Sequence, residues 1–504
     1  MIFYGSLPTN QDPATHVSET LTYPKMDHFQ EVFMSLQSTD STTMKWIKSL
    51  IDEDSFLPFC PDYISDNQSH LHVGAEVVTG LAKVNQRPVA VYAHNTSINR
   101  GYVTREGAVK IIRLMDRARD LRIPIVAFLA SPGISLDLLS GDEYTQIISR
   151  NINMSGLIPQ FAIIAAPTLG APAYSAVLMD LLFFNKHRSY LMVTSPMVVQ
   201  QAIGEKVTMS ELGGAAVHAT ITGIADFVDD SSLAQITNVK NMLNFFPSHT
   251  EERPPIHPAH EPLHPIPLIP SNPRLPFNML ELIHAVVDNS TVFQYKSAYG
   301  QAMICAFAHI NGYPVGLVAN QSIRISGAID SDTAQKTSKF IRICDAYRIP
   351  ILTLIDVPGF MPGKREEQKG LLQHGARLCA SMQTRVPRLS VVIRKCYGAA
   401  AFLLMQTKSQ NGDLVLALET ASLGVMGKDT TKKVQTKDGQ IQEETPVPSQ
   451  TDNFQIDGSL AEAYSLGLID EIIKPSQMRS RLAQHLEVLY RKMEHLPSAR
   501  HSIV

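Results

Sequence analysis

The chain has 504 residues, 44% of them hydrophobic and 18% charged, and its 44 Lys+Arg against 47 Asp+Glu leave a formal net charge of −3. This is a globular composition, which excludes a disordered, collagen-like or small disulfide-stapled chain. Near-neutrality without a Lys/Arg-rich run argues against nucleic acid or an anionic membrane as the main partner.

The first residues, MIFYGSLPTNQDPATHVSE, lack a basic stretch followed by a long apolar one, so a cytoplasmic protein is expected. The five cysteines are odd in number, widely spaced and never Cys-x-x-Cys, which argues against a disulfide framework or a zinc ribbon. A strand pair, VVTGLAKVNQRPVAVYAHN, precedes an amphipathic helix, REGAVKIIRLMDRARDL, and a buried strand, IPIVAFLA, that runs into Pro132–Gly133. Residues 161–184 are long enough to cross a membrane and carry only Asp180, but Pro167, Gly170 and Pro172 divide them into a buried strand, a loop and a helix. Ten of the 31 prolines fall between Pro247 and Pro276, which predicts a semi-rigid, extended linker. Its His249, His257, His260 and His264 have no carboxylate or cysteine set around them, so they are not read as a metal site.

Beyond the linker the order recurs: MICAFAHINGYPVGLVANQ, DTAQKTSKFIRICDAYR, then IPILTLIDV ending at Pro358–Gly359. Residues 83–133 align on 309–359 at a constant offset of 226, with 12 identities in the 46 positions from Pro88 to Gly133. Unrelated sequences would give about three. Further on the offset is 228, placing Gly170–Ala171 on Gly398–Ala399. The length alone suggests about three domains; the repeat predicts two copies of one α/β unit, residues 1–246 and 278–504, joined by 247–277. Ligands of parallel α/β sheets sit at the carboxyl ends of strands, where each half places its two small-residue turns.

No nucleophile elbow, metalloprotease helix, Walker loop or dinucleotide fingerprint is present. A strand ending in Gly or Ala and opening a helix offers unpaired N–H groups at the positive end of the helix dipole. Such donors stabilise oxyanions, each by roughly 2.7–4 kcal/mol in a transition state. Equally, these small residues suit close helix–strand packing.

The segments SGLIPQFAII, ELGGAAVHATITGIADF, NGYPVGLVANQ, FIRICDAYRIPILTLIDVPGFMPG, HGARL, RKCYGAAAFLLM and LGVMG resemble the carboxyltransferase β subunits of biotin-dependent acyl-CoA carboxylases, from about residue 45 to the C-terminus. The resemblance implies two tandem crotonase-like domains and a hexamer built from dimers, with each site between the N-terminal domain of one subunit and the C-terminal domain of its partner. It implies that carboxybiotin, on a separate carrier protein, releases CO2, that biotin N1 takes the α-proton of a coenzyme A thioester, and that the enolate captures the CO2. No metal is implied, and a separate biotin carboxylase and biotin carboxyl carrier protein are expected, since the chain has no ATP-grasp-like region and no Ala-Met-Lys-Met. By the same resemblance, the N–H groups of Ala399 and Ala400, after Gly398, would face biotin. Gly133 and Ile134 would face the acyl thioester, lined by Pro132, Gly170 and Ala171.

The chain departs from the family at named positions. Ser131-Pro132-Gly133-Ile134 replaces a Ser-Gly-Gly-Ala turn, and proline has no N–H. Phe402 occupies the position at which family members differ in acyl preference, Arg100–Gly101 replaces a Gly-Gly pair, and residues 428–455 form a polar segment unlike the family's. Acyl-CoA and an acyl carrier protein thioester both remain open as substrates. A biotin-independent decarboxylase and a non-catalytic assembly subunit remain the alternative functions.

Overall fold

The computed structural model describes residues 42–60, 63–64, 72–410, 412–424 and 458–492; the N-terminal stretch, most of LGVMG and the polar segment 428–455 lie outside them. After helix α1 (Thr42–Leu50), the first half runs β1 (Val77–Val84), β2 (Arg87–His94), α2 (Arg105–Leu121), β3 (Ile125–Leu129), α3 (Leu138–Met154), β4 (Gln160–Ile164), α4 (Ala171–Leu178), β5 (Leu181–Asn185), β6 (Phe227–Asp229) and α5 (Ser232–Leu243). The second runs β7 (Met303–Ile310), β8 (Tyr313–Asn320), α6 (Ser331–Ala346), β9 (Ile351–Val357), α7 (Leu371–Ser381), β10 (Arg388–Tyr397), α8 (Gly398–Met405), β11 (Leu414–Leu418) and β12 (Glu471–Ile473).

Each half is built on one large sheet. β1 to β6 lie side by side in chain order, as do β7 to β12; the opening hairpin of each is antiparallel and every later pair parallel. The offset of 226 carries β1 and β2 onto β7 and β8 residue for residue. Both hairpins turn through two residues with positive φ, Asn85–Gln86 (50° and 65°) and Asn311–Gly312 (51° and 80°), whose twist suits the strands. The helix after each hairpin is capped at the matched position: Thr104 accepts the Gly107 N–H at 3.3 Å and Asp330 the Thr333 N–H at 2.8 Å.

Every residue of β3 and of β9 is buried, as continuous apolar runs in a sheet covered on both faces require. α2, α3 and α4 cover one face of the first sheet around Ile111, Leu114, Met115 and Tyr144. Its other face packs, through Val91, Val126, Phe128 and Phe161, into a core shared with α6 and α8 of the second half. The second sheet's far face is covered by helices Met279–His284 and Met478–Leu489. α1 and α5 of the first half share this core, so helices of both halves fill the layer between the two sheets. Phe246 forms the centre of this seam, with its ring 5.2 Å from Phe161, 5.6 Å from Phe307 and 5.1 Å from Tyr347.

Two buried polar contacts tie the seam. Lys296 Nζ lies 2.6 Å from Asp226 Oδ1, and Tyr347 OH donates to Asp180 Oδ2 at 2.6 Å. Burial lowers Lys296 to about 8 against the pull of Asp226, and raises Asp180 to about 6.

The proline-rich strap forms no helix or strand, as expected, but it is docked rather than simply extended into solvent. Pro254 O accepts from Tyr490 OH at 2.6 Å, His260 O from Arg479 at 2.6 Å and Leu275 O from Arg394 at 2.9 Å, so the second half supplies the donors its carbonyls need. His257 and His264 pack against His309 and His284. Residues 161–184 form β4, a short strand at Thr168–Leu169, α4 and β5, and among the described residues no helix is long and apolar enough to cross a membrane.

Candidate active site

β3 and β4 are parallel neighbours, so the chain leaves both at the same edge of the sheet. The Leu169 N–H donates to Ser131 O at 2.9 Å, which joins the turn at Pro132–Gly133 to the one at Gly170–Ala171. A third turn, Asn99–Gly101, closes on the same edge. Gly101 has φ 82°, and a Cβ there would lie 2.6 Å from Ala130 O, so only glycine admits the contact. Arg100, at φ 54°, is exposed beside it.

The donors of this first turn set are few. Pro132 has none, and the Gly133 N–H is taken up by Ser131 Oγ at 3.2 Å. Val103 bonds to Gly133 O at 3.1 Å and, from Ser135 N, at 2.9 Å, so the N–H of Ile134 between them points to the opposite side. At the second turn Gly170 (φ 66°) opens α4, but Pro172 follows Ala171 and contributes no N–H.

In the second half, Val357 and Cys396 pair across β9 and β10, bringing Pro358–Gly359 (φ 142°) beside Gly398 (φ 72°). α8 opens there without any side-chain cap. The first-turn N–H groups of Ala399 and Ala400 therefore point off the helix end, with the helix dipole behind them. Ala399 is exposed and Ala400 is buried, while Phe402 packs half-buried against the shared core. This turn keeps two consecutive N–H donors where the first half has Ala171–Pro172. Among the described residues, no hydrogen bond, ion pair or ring contact joins the turns of one half to those of the other.

Beneath the C-terminal turn lies a charged cluster that motif reading missed. The buried Asp356 carboxylate accepts Arg394 Nη2 at 2.6 Å and Nε at 3.2 Å, and the Lys395 N–H at 3.2 Å, with Lys395 Nζ 3.6 Å away. Arg394 also donates to Ser322 Oγ at 3.0 Å and Lys395 Nζ to Ser326 O at 3.2 Å. Asn320 Oδ1 accepts the Asp356 N–H at 3.3 Å; at the matched position His94 Nδ1 accepts the Ala130 N–H at 3.1 Å, and burial lowers His94 to about 4. The signal was present in the sequence: the offset of 226 sets Asp356 against Ala130, an ionisable residue where its twin has a methyl.

Fold and comparisons together define an α/β enzyme of two tandem crotonase-like units, with small-residue turns at the strand ends of each. Residues 35–504 match the carboxyl transferase domain, and the chain belongs to that family. It is 34% identical to the mitochondrial propionyl-CoA carboxylase beta chain of Mus musculus over 465 residues, 90% of this chain and 85% of that one. It is equally, at 34% over 471 residues and 90% of each chain, similar to the methylmalonyl-CoA decarboxylase subunit alpha of Propionigenium modestum. Among solved structures, the hexameric transcarboxylase 12S with methylmalonyl-coenzyme A bound superposes with a TM-score of 0.82 at 27% identity, covering 94% of both chains.

Proposed function

We propose that this protein transfers a carboxyl group between biotin and an acyl-CoA thioester. Family membership and the uncapped start of α8 at Gly398–Ala400 carry this reading. Biotin, brought by a separate carrier protein, supplies the carboxyl carrier and the proton acceptor. The N–H groups of Ala399 and Ala400 hold its ureido oxygen, and the absence of a Cβ at Gly398 lets the ring approach. The thioester oxygen lies at the N-terminal turns, where Ile134 and Ala171 supply N–H groups, Ser131 fixes Gly133, and Pro132 and Gly170 line the pocket. Arg100, exposed at the rim, suits the phosphates of coenzyme A, and Phe402 limits the acyl chain. No metal is required.

The similarity to the hexameric transcarboxylase 12S favours a site completed between the N-terminal unit, 1–246, of one subunit and the C-terminal unit, 278–504, of another, in a dimer-built hexamer. Biotin carboxylase would recharge the carrier, in the cytoplasm. The similarity to a decarboxylase subunit favours a second direction for the same site, from carboxyacyl thioester to biotin.

Purified protein given biotinylated carrier and acetyl-, propionyl- or methylmalonyl-CoA should move labelled carboxyl between them. Absence of transfer with every thioester, under conditions where a propionyl-CoA carboxylase beta chain is active, would leave the assembly-subunit alternative. Loss of CO2 from methylmalonyl-CoA with no biotin present would replace transfer by direct decarboxylation.

A further inference from the structure

The two halves meet the same backbone problem with different chemistry. In each, the second strand of the site takes an extra loop of three residues opposite one: Ala165-Ala166-Pro167 against Ala130 in the first half, Ile393-Arg394-Lys395 against Asp356 in the second. The first solution is neutral and small, so the fold itself does not need charges there. The second buries one carboxylate and two cations. Arg394 takes Asp356 Oδ2 through two nitrogens, at 2.6 and 3.2 Å, and Lys395, only 8% exposed, is the cation in excess.

An excess buried cation costs stability unless something anionic repays it. Lys395 leads within five residues into the turn Tyr397-Gly398-Ala399-Ala400, where a helix opens without a side-chain cap and its N–H groups can receive an anion. We propose that Lys395 is an electrostatic positioning residue: held by Asp356 and Ser326 O, its ammonium adds a net positive charge at the end of β10, just ahead of the turn that presents the Ala399 and Ala400 N–H groups, and makes the C-terminal turn the stronger of the two anion sites. The first half, with Ala166 and Pro167 at the matched places, has no such charge. This rests on the carboxyl-transfer reading, in which the oxygen held at Ala399 and Ala400 gains negative charge as the reaction proceeds.

The test is carboxyl transfer from methylmalonyl-CoA to free biotin by the full-length protein, comparing wild type with Lys395→Met and Lys395→Arg. Methionine keeps the stem, leaves the Arg394–Asp356 pair intact and removes the cation in excess, so a melting temperature no lower than that of wild type is expected. The methionine variant should lose about tenfold in kcat with the thioester KM within about twofold, and arginine should restore most of the rate. Calorimetry of free biotin provides a readout that does not need turnover, with weaker binding expected in Lys395→Met. A methionine variant at the wild-type rate and biotin affinity, a loss seen only in thioester KM, or an arginine variant as poor as methionine would overturn the role of charge. A wild type that binds biotin and transfers nothing would sink the transfer reading while the binding comparison still decides the inference; one that does neither overturns both.

Discussion

Ala400 and Pro172 occupy matched positions, so the protein itself shows that proline fits the first turn of this helix. Ala400→Pro is thus a backbone deletion with the fold kept: it removes one donor and should lower carboxyl transfer by about 10²–10³-fold in kcat, checked by steady-state rates beside an unchanged circular dichroism spectrum. Gly101→Ala tests the opposite term, because its Cβ meets Ala130 O at 2.6 Å and its φ is 82°. About 1–3 kcal/mol of lost stability in urea titration is expected, with the first turn displaced and the thioester KM raised. Two buried groups predict opposite pH slopes. Asp180 is raised to about 6, so its contribution is present below the unfolded value of 3.8 and is lost as pH rises through 6. His94 is lowered to about 4, so its contribution is present above 6.5 and is lost as pH falls through 4. Relative to wild type, Asp180→Asn should make stability climb more steeply between pH 4 and 6, and His94→Asn should make it fall, by up to about 3 kcal/mol each in urea midpoints.

At the scale of elements, most of the fold was legible because its signals are local or repeat. The hairpins, the capped helices and the apolar runs of β3 and β9 each depend on neighbours in sequence, and the second copy confirmed the first. The C-terminal turn was legible for the same reason, as Gly398 opening a run of small residues. What stayed hidden depends on contacts across the chain. The Gly133 N–H is occupied by a hydroxyl two residues away, a matter of rotamer that no spacing encodes. The Asp356–Arg394 pair joins residues 38 apart on adjacent strands, where Arg394 reads only as part of a strand. The strap was expected as a semi-rigid, extended linker; that its carbonyls are met by Tyr490, Arg479 and Arg394 depends on distant residues.

The whole molecule is held at a seam that neither half can close alone. Removing residues 278–504 would expose Phe161, Phe183 and Phe246 and strip Asp180 and Asp226 of Tyr347 and Lys296. The full chain should therefore unfold in one transition, by coincident calorimetric and fluorescence curves, and residues 1–246 expressed alone should aggregate. Lys296→Met, which leaves the Asp226 carboxylate buried without its 2.6 Å partner, should cost about 3–5 kcal/mol. The matched glycines carry a further meaning. Gly101 and Gly327, each pressed on the carbonyl opposite, mark backbone that both copies must keep, while Ala130 and Asp356, the owners of those carbonyls, were free to part. The repeat thus acts as an internal control: the same main chain is kept twice over while the side chains beneath it differ in charge, so charge is separable from fold at this place.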